Sequence, residues 1–261
     1  MRIDHHIHLG KDICRWGFEQ TTNQLISYFD KYNIEKGVVF ACPNLPKKNN
    51  PYLLDNLMIK CAANNDSRIV PYLFSHPYLD DLEMIQKLDS QFEGYKLYCN
   101  AKNLGYSYSD MINQDQIKFI FSRQKPVVCH IAKEKGERPI DLIKLIEQYD
   151  STPIVLAHMG RLFHDDLCKL SSYDNVYVDL APLTTLLLKK ELFLAESKYI
   201  HSTLGDCNIE TVVDYLNVLF KDRLVWGSDA PWCNELSDKR IEGELEVLDL
   251  LISKNLNNSF L

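Results

Sequence analysis

Eight cysteines are scattered through this 261-residue chain, but no two form a CxxC pair. A structural zinc site built on thiolates, with cysteines two to four residues apart, is therefore not expected. Free thiols in a reducing cytoplasm are the expected state. No signal peptide and no hydrophobic run of bilayer length is present, so neither secretion nor a membrane anchor is expected. Glycine is scarce at ten residues, and the G-x-G-x-x-G turn that would follow the first strand of a dinucleotide-binding sheet is missing. No concentrated basic stretch occurs and the net charge is −7, which argues against nucleic acid or an anionic membrane as partner and leaves a small-molecule substrate. With 46% hydrophobic and 25% charged residues, the composition is that of an ordinary globular protein. No Gly/Ser linker breaks it, so residues 1–261 read as one domain. A homo-oligomer is compatible with all of this.

The chain is rich in alternating pattern. Eight short apolar runs, "RIDHHIHL", "KGVVFAC", "RIVPYLF", "GYKLYC", "KPVVCH", "TPIVLAHMG", "NVYVDL" and "RLVWGSDAP", carry β-branched and aromatic residues, as strands do. Between them lie stretches such as "TNQLISYFDKYN", "PYLLDNLMIKCAANN", "LDDLEMIQKLDSQ", "NQDQIKFIFSRQ", "RPIDLIKLIEQYD" and "TVVDYLNVLFK", and "ELEVLDLLISKN" lies near the end. Their apolar residues recur at three- and four-residue steps, the signature of one buried helical face. Strict alternation implies parallel strands joined by right-handed crossovers. Eight units of this length predict a (β/α)8 TIM barrel, with an open doubly wound sheet as the alternative. The stretch from Leu180 to Asp222 is longer than one helix needs and is expected to hold an extra turn or helix.

The first strand opens on "DHHIHLG". Alternation along a strand puts Asp4, His6 and His8 on one face and Ile3, His5 and Ile7 on the other. His5, flanked by isoleucines, reads as packing. His6 and His8 fall at the carboxyl end of the strand, the catalytic rim of a barrel. Further strand ends carry His130, His158 and Asp229. If the last strand lies beside the first, Asp229 neighbours His6 and His8, and His130 reaches in from across the mouth. Four such N/O donors suit a zinc-type ion with room for water. Asp4, two residues deeper, reads as a supporting or capping carboxylate.

"HIH" on the first strand, histidines ending the fifth and sixth, and "GSDAPW" ending the eighth resemble the amidohydrolase superfamily, in particular the amidohydrolase-related branch of metal-dependent hydrolases and aminocarboxymuconate-semialdehyde decarboxylases. The resemblance implies a barrel with one or two divalent ions. Carried over residue by residue, it makes His6, His8, His130 and Asp229 the ligands and places His158 against the bound water or substrate. From the residues themselves, Asp229 can take a proton from an ion-activated water and return it, and His158 can hydrogen-bond the hydroxide or a developing oxyanion. With Arg2 already opening the first strand run, the small β-sandwich carried by many relatives is not expected here.

Lys96, on the inward face of the fourth run, is open to three readings: a carbamylated bridge between two ions, a cation for a substrate carboxylate, or an internal salt bridge. Arg161, just after "AHMG", could clamp a carboxylate or phosphate or stand in a surface ion pair. Trp16, Phe18, Asn44, His76, Tyr98 and Trp232 follow strands and are candidate pocket walls; Asp179 is a substrate contact or a loop cap. His164 and His201 read as surface residues. The expected function is a cytoplasmic metal-dependent hydrolase, with zinc the first choice of ion, acting on a small amide, ester or lactone. A non-hydrolytic decarboxylase or hydratase with the same ligands is the alternative among enzymes, and an inactive metal-binding scaffold the alternative outside them.

Overall fold

The apolar runs fold as strands lying side by side in chain order. In a computed structural model, which describes residues 1–11, 19–43, 49–99, 106–188, 208–232 and 238–256, they are β1 (Ile3–Lys11), β3 (Lys36–Ala41), β4 (Ile69–Ser75), β5 (Gly94–Leu97), β6 (Val127–Cys129), β7 (Ile154–Leu156), β8 (Val176–Asp179) and β9 (Leu224–Val225). All pair in parallel with their neighbours, and a two-residue strand, β2 (Glu19–Gln20), joins the edge of β1 antiparallel. Ten α-helices among the described residues complete the pattern: α1 (Thr22–Tyr32), α2 (Leu53–Asn65), α3 (Leu82–Asp89), α4 (Tyr108–Met111), α5 (Asp115–Ser122), α6 (Ile143–Gln148), α7 (His164–Leu170), α8 (Leu183–Leu188), α9 (Ile209–Phe220) and α10 (Asp238–Ser253). The result is an α/β fold with a curled parallel sheet, and none of these helices is long and apolar enough to cross a membrane.

The strands are buried on both faces, which is why they read as nearly continuous apolar runs. Beyond β9 the chain continues alongside β1. His5 N donates to Trp226 O (2.9 Å), Asp229 N to His6 O (2.9 Å) and His8 N to Ala230 O (2.7 Å), which brings the two ends of the sheet together at the segment carrying Asp229.

Sequence cues account for many of the element limits. Thr21 caps α1 by accepting from Gln24 N while Gln24 Oε1 accepts from Thr21 N, and Asn33 ends the helix at φ 54°. Three elements escaped the sequence pattern, β2, α4 and α7, whereas α8 is the extra helix expected after Leu180. The long stretch after Leu180 holds α8 and α9, and residues 189–207 between them lie outside the described residues.

One expectation of the strand reading is overturned. Between Asp4 and Ile7, β1 spends three steps where β3 spends two, a β-bulge. Asp4 therefore leaves the face of His6 and His8, and its carboxylate accepts from the Tyr28 hydroxyl of α1 at 2.7 Å.

Close packing of α1 on the sheet leaves no space at Gly37. A Cβ there would lie 2.6 Å from Phe29 Cζ and 2.7 Å from Ile7 Cδ1. Gly37→Ala is expected to destabilise the protein by about 1–3 kcal/mol, read as a lower denaturant midpoint; an unchanged midpoint would mean that α1 shifts freely.

Candidate metal centre

β1 delivers two buried imidazoles, and the partner of each Nδ1 fixes where its lone pair points. His8 Nδ1 lies 2.8 Å from the carbonyl oxygen of Ala41, which can only accept, so Nδ1 carries the proton. His6 Nδ1 donates to the Asp179 carboxylate at the end of β8. In the neutral rings both Nε2 atoms are then bare acceptors. These atoms lie 3.3 Å apart, and Asp229 Oδ1 sits 3.3 Å from His6 Nε2 and 3.5 Å from His8 Nε2. The rings are braced edge-on by Phe40, at centroid distances of 4.9 and 4.6 Å.

Three electron-pair donors crowded together repel unless something positive lies among them. Burial pushes His6 and His8 well below the usual imidazole range, which keeps protons off them, and it raises Asp229 to about 6. The group His6, His8 and Asp229, with its ligand atoms within 4.8 Å of one another, has the composition and tautomers of a cation site. Asp179, left open between a substrate contact and a loop cap, is the cap and more: one carboxylate oxygen accepts from Ala181 N in the loop after β8, and the other orients His6. The signal was available, since Asp179 ends a strand as Asp229 and the histidines do.

His130 stands apart from that group. Its Nδ1 lies 3.0 Å from His158 Nε2, and His158 Nδ1 lies 2.8 Å from the carbonyl of Ala181. Ala181 O can only accept, so neutral His158 carries its proton on Nδ1 and accepts from His130 through Nε2. Burial holds His158 well below its usual range, so it stays neutral. It is thus an acceptor toward its neighbours, and the donor role toward an oxyanion would require it first to gain a proton.

His158 opens a turn with φ between 53° and 59° at all five residues from His158 to Leu162. Only Gly160 among them takes that conformation freely, and each of the others costs roughly 1–2 kcal/mol. Strain of this kind is tolerated where surrounding contacts over-determine it. One such contact is Arg161, half-buried rather than on the surface, whose Nε donates to Ile131 O at 2.9 Å.

Lys96 is fully buried, with Nζ 3.5 Å from His6 Nε2 and 4.7 Å from the centroid of Phe40. Burial lowers its pKa, and the carboxylates of Asp179 and Asp229 oppose that shift. Trp232 packs edge-on against His8 at 4.1 Å, and Tyr98 lies 4.5 Å from His130, so two of the aromatic wall candidates flank the histidines. His76 does other work: its Nδ1 accepts from Tyr78 N (3.3 Å) and Leu79 N (3.2 Å), holding the turn after β4. His5 is buried, its Nδ1 3.2 Å from Trp226 O. His164 is half-buried, 2.8 Å from the Tyr215 hydroxyl. Trp16, Phe18, Asn44 and His201 lie outside the described residues.

The sequence profile of the amidohydrolase family matches residues 49–255. Comparison with curated proteins finds no match. Among solved structures, an amidohydrolase from Burkholderia multivorans with bound zinc superposes with a TM-score of 0.66 at 14% identity, over 98% of this chain and 93% of that one. A probable 2-pyrone-4,6-dicarboxylic acid hydrolase from Acinetobacter baumannii, with citric acid bound, gives 0.64 at 16% identity, over 96% and 92%. The 2,6-dihydroxybenzoate decarboxylase from Rhizobium gives 0.64 at 10% identity, over 95% and 92%.

Proposed function

The chain belongs to the amidohydrolase family, and from that premise we propose that it is a metal-dependent hydrolase of a small amide, ester or lactone, built on a single closed (β/α)8 barrel. The observation that carries the proposal is the convergence of His6 Nε2, His8 Nε2 and Asp229 Oδ1, with both Nδ1 atoms committed to acceptors. Two imidazole nitrogens and a carboxylate oxygen are a donor set that zinc favours, and His130, across the mouth, is the candidate fourth ligand. A divalent ion held there supplies Lewis acidity toward a carbonyl oxygen and lowers the pKa of bound water from about 15.7 to around 7.

The chain's own groups do the rest. Asp229 accepts the proton of the attacking water and returns it to the leaving group. His158 Nε2, a neutral acceptor, accepts from His130 Nδ1 and so holds that ring with its Nε2 free to act as a ligand. Arg161 offers charge to an acidic substituent of the substrate, and Trp232 and Tyr98 wall the space between. Lys96 has no exposed surface through which to meet a substrate. The Rhizobium decarboxylase of similar fold supports the alternative in which the same groups stabilise a carbanion.

The experiment is elemental analysis of protein purified without chelator, followed by assays on esters, lactones, amides and carboxylic acids with zinc and manganese. One or more divalent ions per chain is expected, lost in the double variant His6→Ala with His8→Ala. Release of acid and alcohol or amine supports hydrolysis, and release of CO2 replaces it with decarboxylation. If the double variant binds as much metal as wild type, the site is wrong. Bound metal without turnover on any of these substrates leaves a scaffold.

A further inference from the structure

The last described helix carries a buried acid that the proposed chemistry does not use. Glu244, on α10, has no exposed surface. Its Oε1 accepts from the Thr184 hydroxyl and from Thr185 N at 3.0 Å, both in the first turn of α8, and its backbone carbonyl accepts from Trp226 Nε1 at 2.7 Å. One residue thus grips both the helix that follows β8 and the segment that follows β9. We propose that Glu244 is a positioning residue of the metal centre: by clamping α8 it fixes the turn from Asp179 to Pro182, whose acceptors aim the rings of His6 and His158. The inference rests on the metal reading above and deepens it.

Bonds run from α10 to the imidazoles without a gap. Leu186 N donates to Pro182 O at 3.0 Å, so α8 starts directly on the turn. Within the turn, Asp179 accepts from Ala181 N with one oxygen and from His6 Nδ1 with the other, and Ala181 O accepts from His158 Nδ1 at 2.8 Å. A movement of α8 therefore moves two imidazole acceptors together. Packing is as close as the bonding. A Cβ on Gly227 would lie 2.6 Å from His6 Cβ and 3.0 Å from Ala181 Cβ, and one on Gly243 would lie 3.3 Å from Thr184 Cγ2. With α10, the turn and β1 in such contact, a displacement at α8 is passed on to His6 rather than absorbed.

A clamp that served stability alone would be built differently. The bonds of Glu244 need one acceptor oxygen, yet its Oε2 is buried without a partner, as is the hydroxyl of Thr185 beside it. Buried polar atoms left unpaired cost stability, and an apolar side chain of the same length would avoid that cost. Local costs of this kind persist where a functional site depends on the position being held.

The test reads ring orientation without metal, and zinc affinity beside it. In metal-free protein with isotope-labelled histidines, nitrogen–proton correlation spectra report which ring nitrogen carries the proton, and the wild type is expected to show the Nδ1–H form at His6 and His158. E244M, which keeps the length and loses the oxygen, is expected to show both forms at these rings and to bind zinc about 10–100-fold more weakly in chelator competition. E244Q keeps an acceptor oxygen for Thr184 and Thr185, and is expected to match the wild type in both readouts. The control is D89N, which weakens the ion pairs of Asp89 with Arg123 and Lys125 at the opposite end of the strands; it is expected to lower the denaturant midpoint and leave both readouts unchanged. E244M with wild-type spectra and affinity, E244Q as impaired as E244M, or D89N as impaired as E244M would each overturn the inference and leave the metal reading standing. If E244M does not fold, T184V, which removes the hydroxyl and keeps its shape, is read in its place on the same terms. No zinc in the wild type would overturn the metal reading, and the spectra would then decide the positioning of the two rings by themselves.

Discussion

Asp229→Asn is expected to lower kcat by about 10²–10⁴-fold, the usual contribution of a positioned proton acceptor, while the protein folds normally. The substitution keeps the shape and one oxygen facing His6 and His8, but removes the charge and the site that takes the proton. Burial sets this carboxyl at about 6 in the unliganded protein, close to the range in which a group can both take a proton and return it. Two features make Asn the right replacement. Asp229 has φ 57°, and Asn adopts that conformation more readily than other non-glycine residues. Its structural bonds are made by the backbone, Asp229 N to His6 O at 2.9 Å and Trp232 N to Asp229 O at 3.0 Å, and survive the change. The check is kcat on whichever substrate the assays identify, beside far-ultraviolet circular dichroism and metal content. A folded variant within tenfold of wild type would remove Asp229 from the chemistry, and failure to fold would assign it to the structure.

The parts of this site that the sequence makes legible are those that depend on position along a strand. His6 and His8 lie two apart on β1, Asp229 follows β9, and the barrel reading, though not the open-sheet alternative, predicts that the ends meet; backbone bonds between β1 and residues 226–230 join them. Side-chain direction is less legible. The bulge in β1 inserts one residue and carries Asp4 to the opposite face, and nothing in "RIDHHIHL" announces it. The left-handed turn from His158 to Leu162 is hidden for a similar reason, because only one of its five residues is glycine. Proton positions are hidden too. Asp179 and the carbonyls of Ala41 and Ala181 decide the tautomers of three histidines, and each comes from another strand end. A sequence names the titratable groups; the acceptors that fix their protons come from the fold.

Asp4→Ala is expected to cost about 3–5 kcal/mol of stability, whereas Asp4→Asn is expected to cost less than about 1.5 kcal/mol. The fully buried carboxylate joins three parts of the chain: Oδ1 accepts from His6 N at 3.1 Å and from Ser228 N at 3.0 Å, and Oδ2 accepts from the Tyr28 hydroxyl at 2.7 Å. Alanine leaves two backbone N–H groups and a phenol buried without that acceptor. In asparagine, one amide oxygen can take both backbone bonds, and the amide NH2 can donate to the hydroxyl of Tyr28, whose own proton turns away. His6 is itself one of the three ligands and Ser228 precedes another, Asp229, so the loss is expected to reach the ion as well, with Asp4→Ala binding zinc about 10–100-fold more weakly and Asp4→Asn close to wild type. Denaturant midpoints and chelator competition measure the two effects. If both variants lose stability alike, the charge of Asp4 matters more than its bonds; if neither does, Asp4 does not hold the two ends of the sheet together.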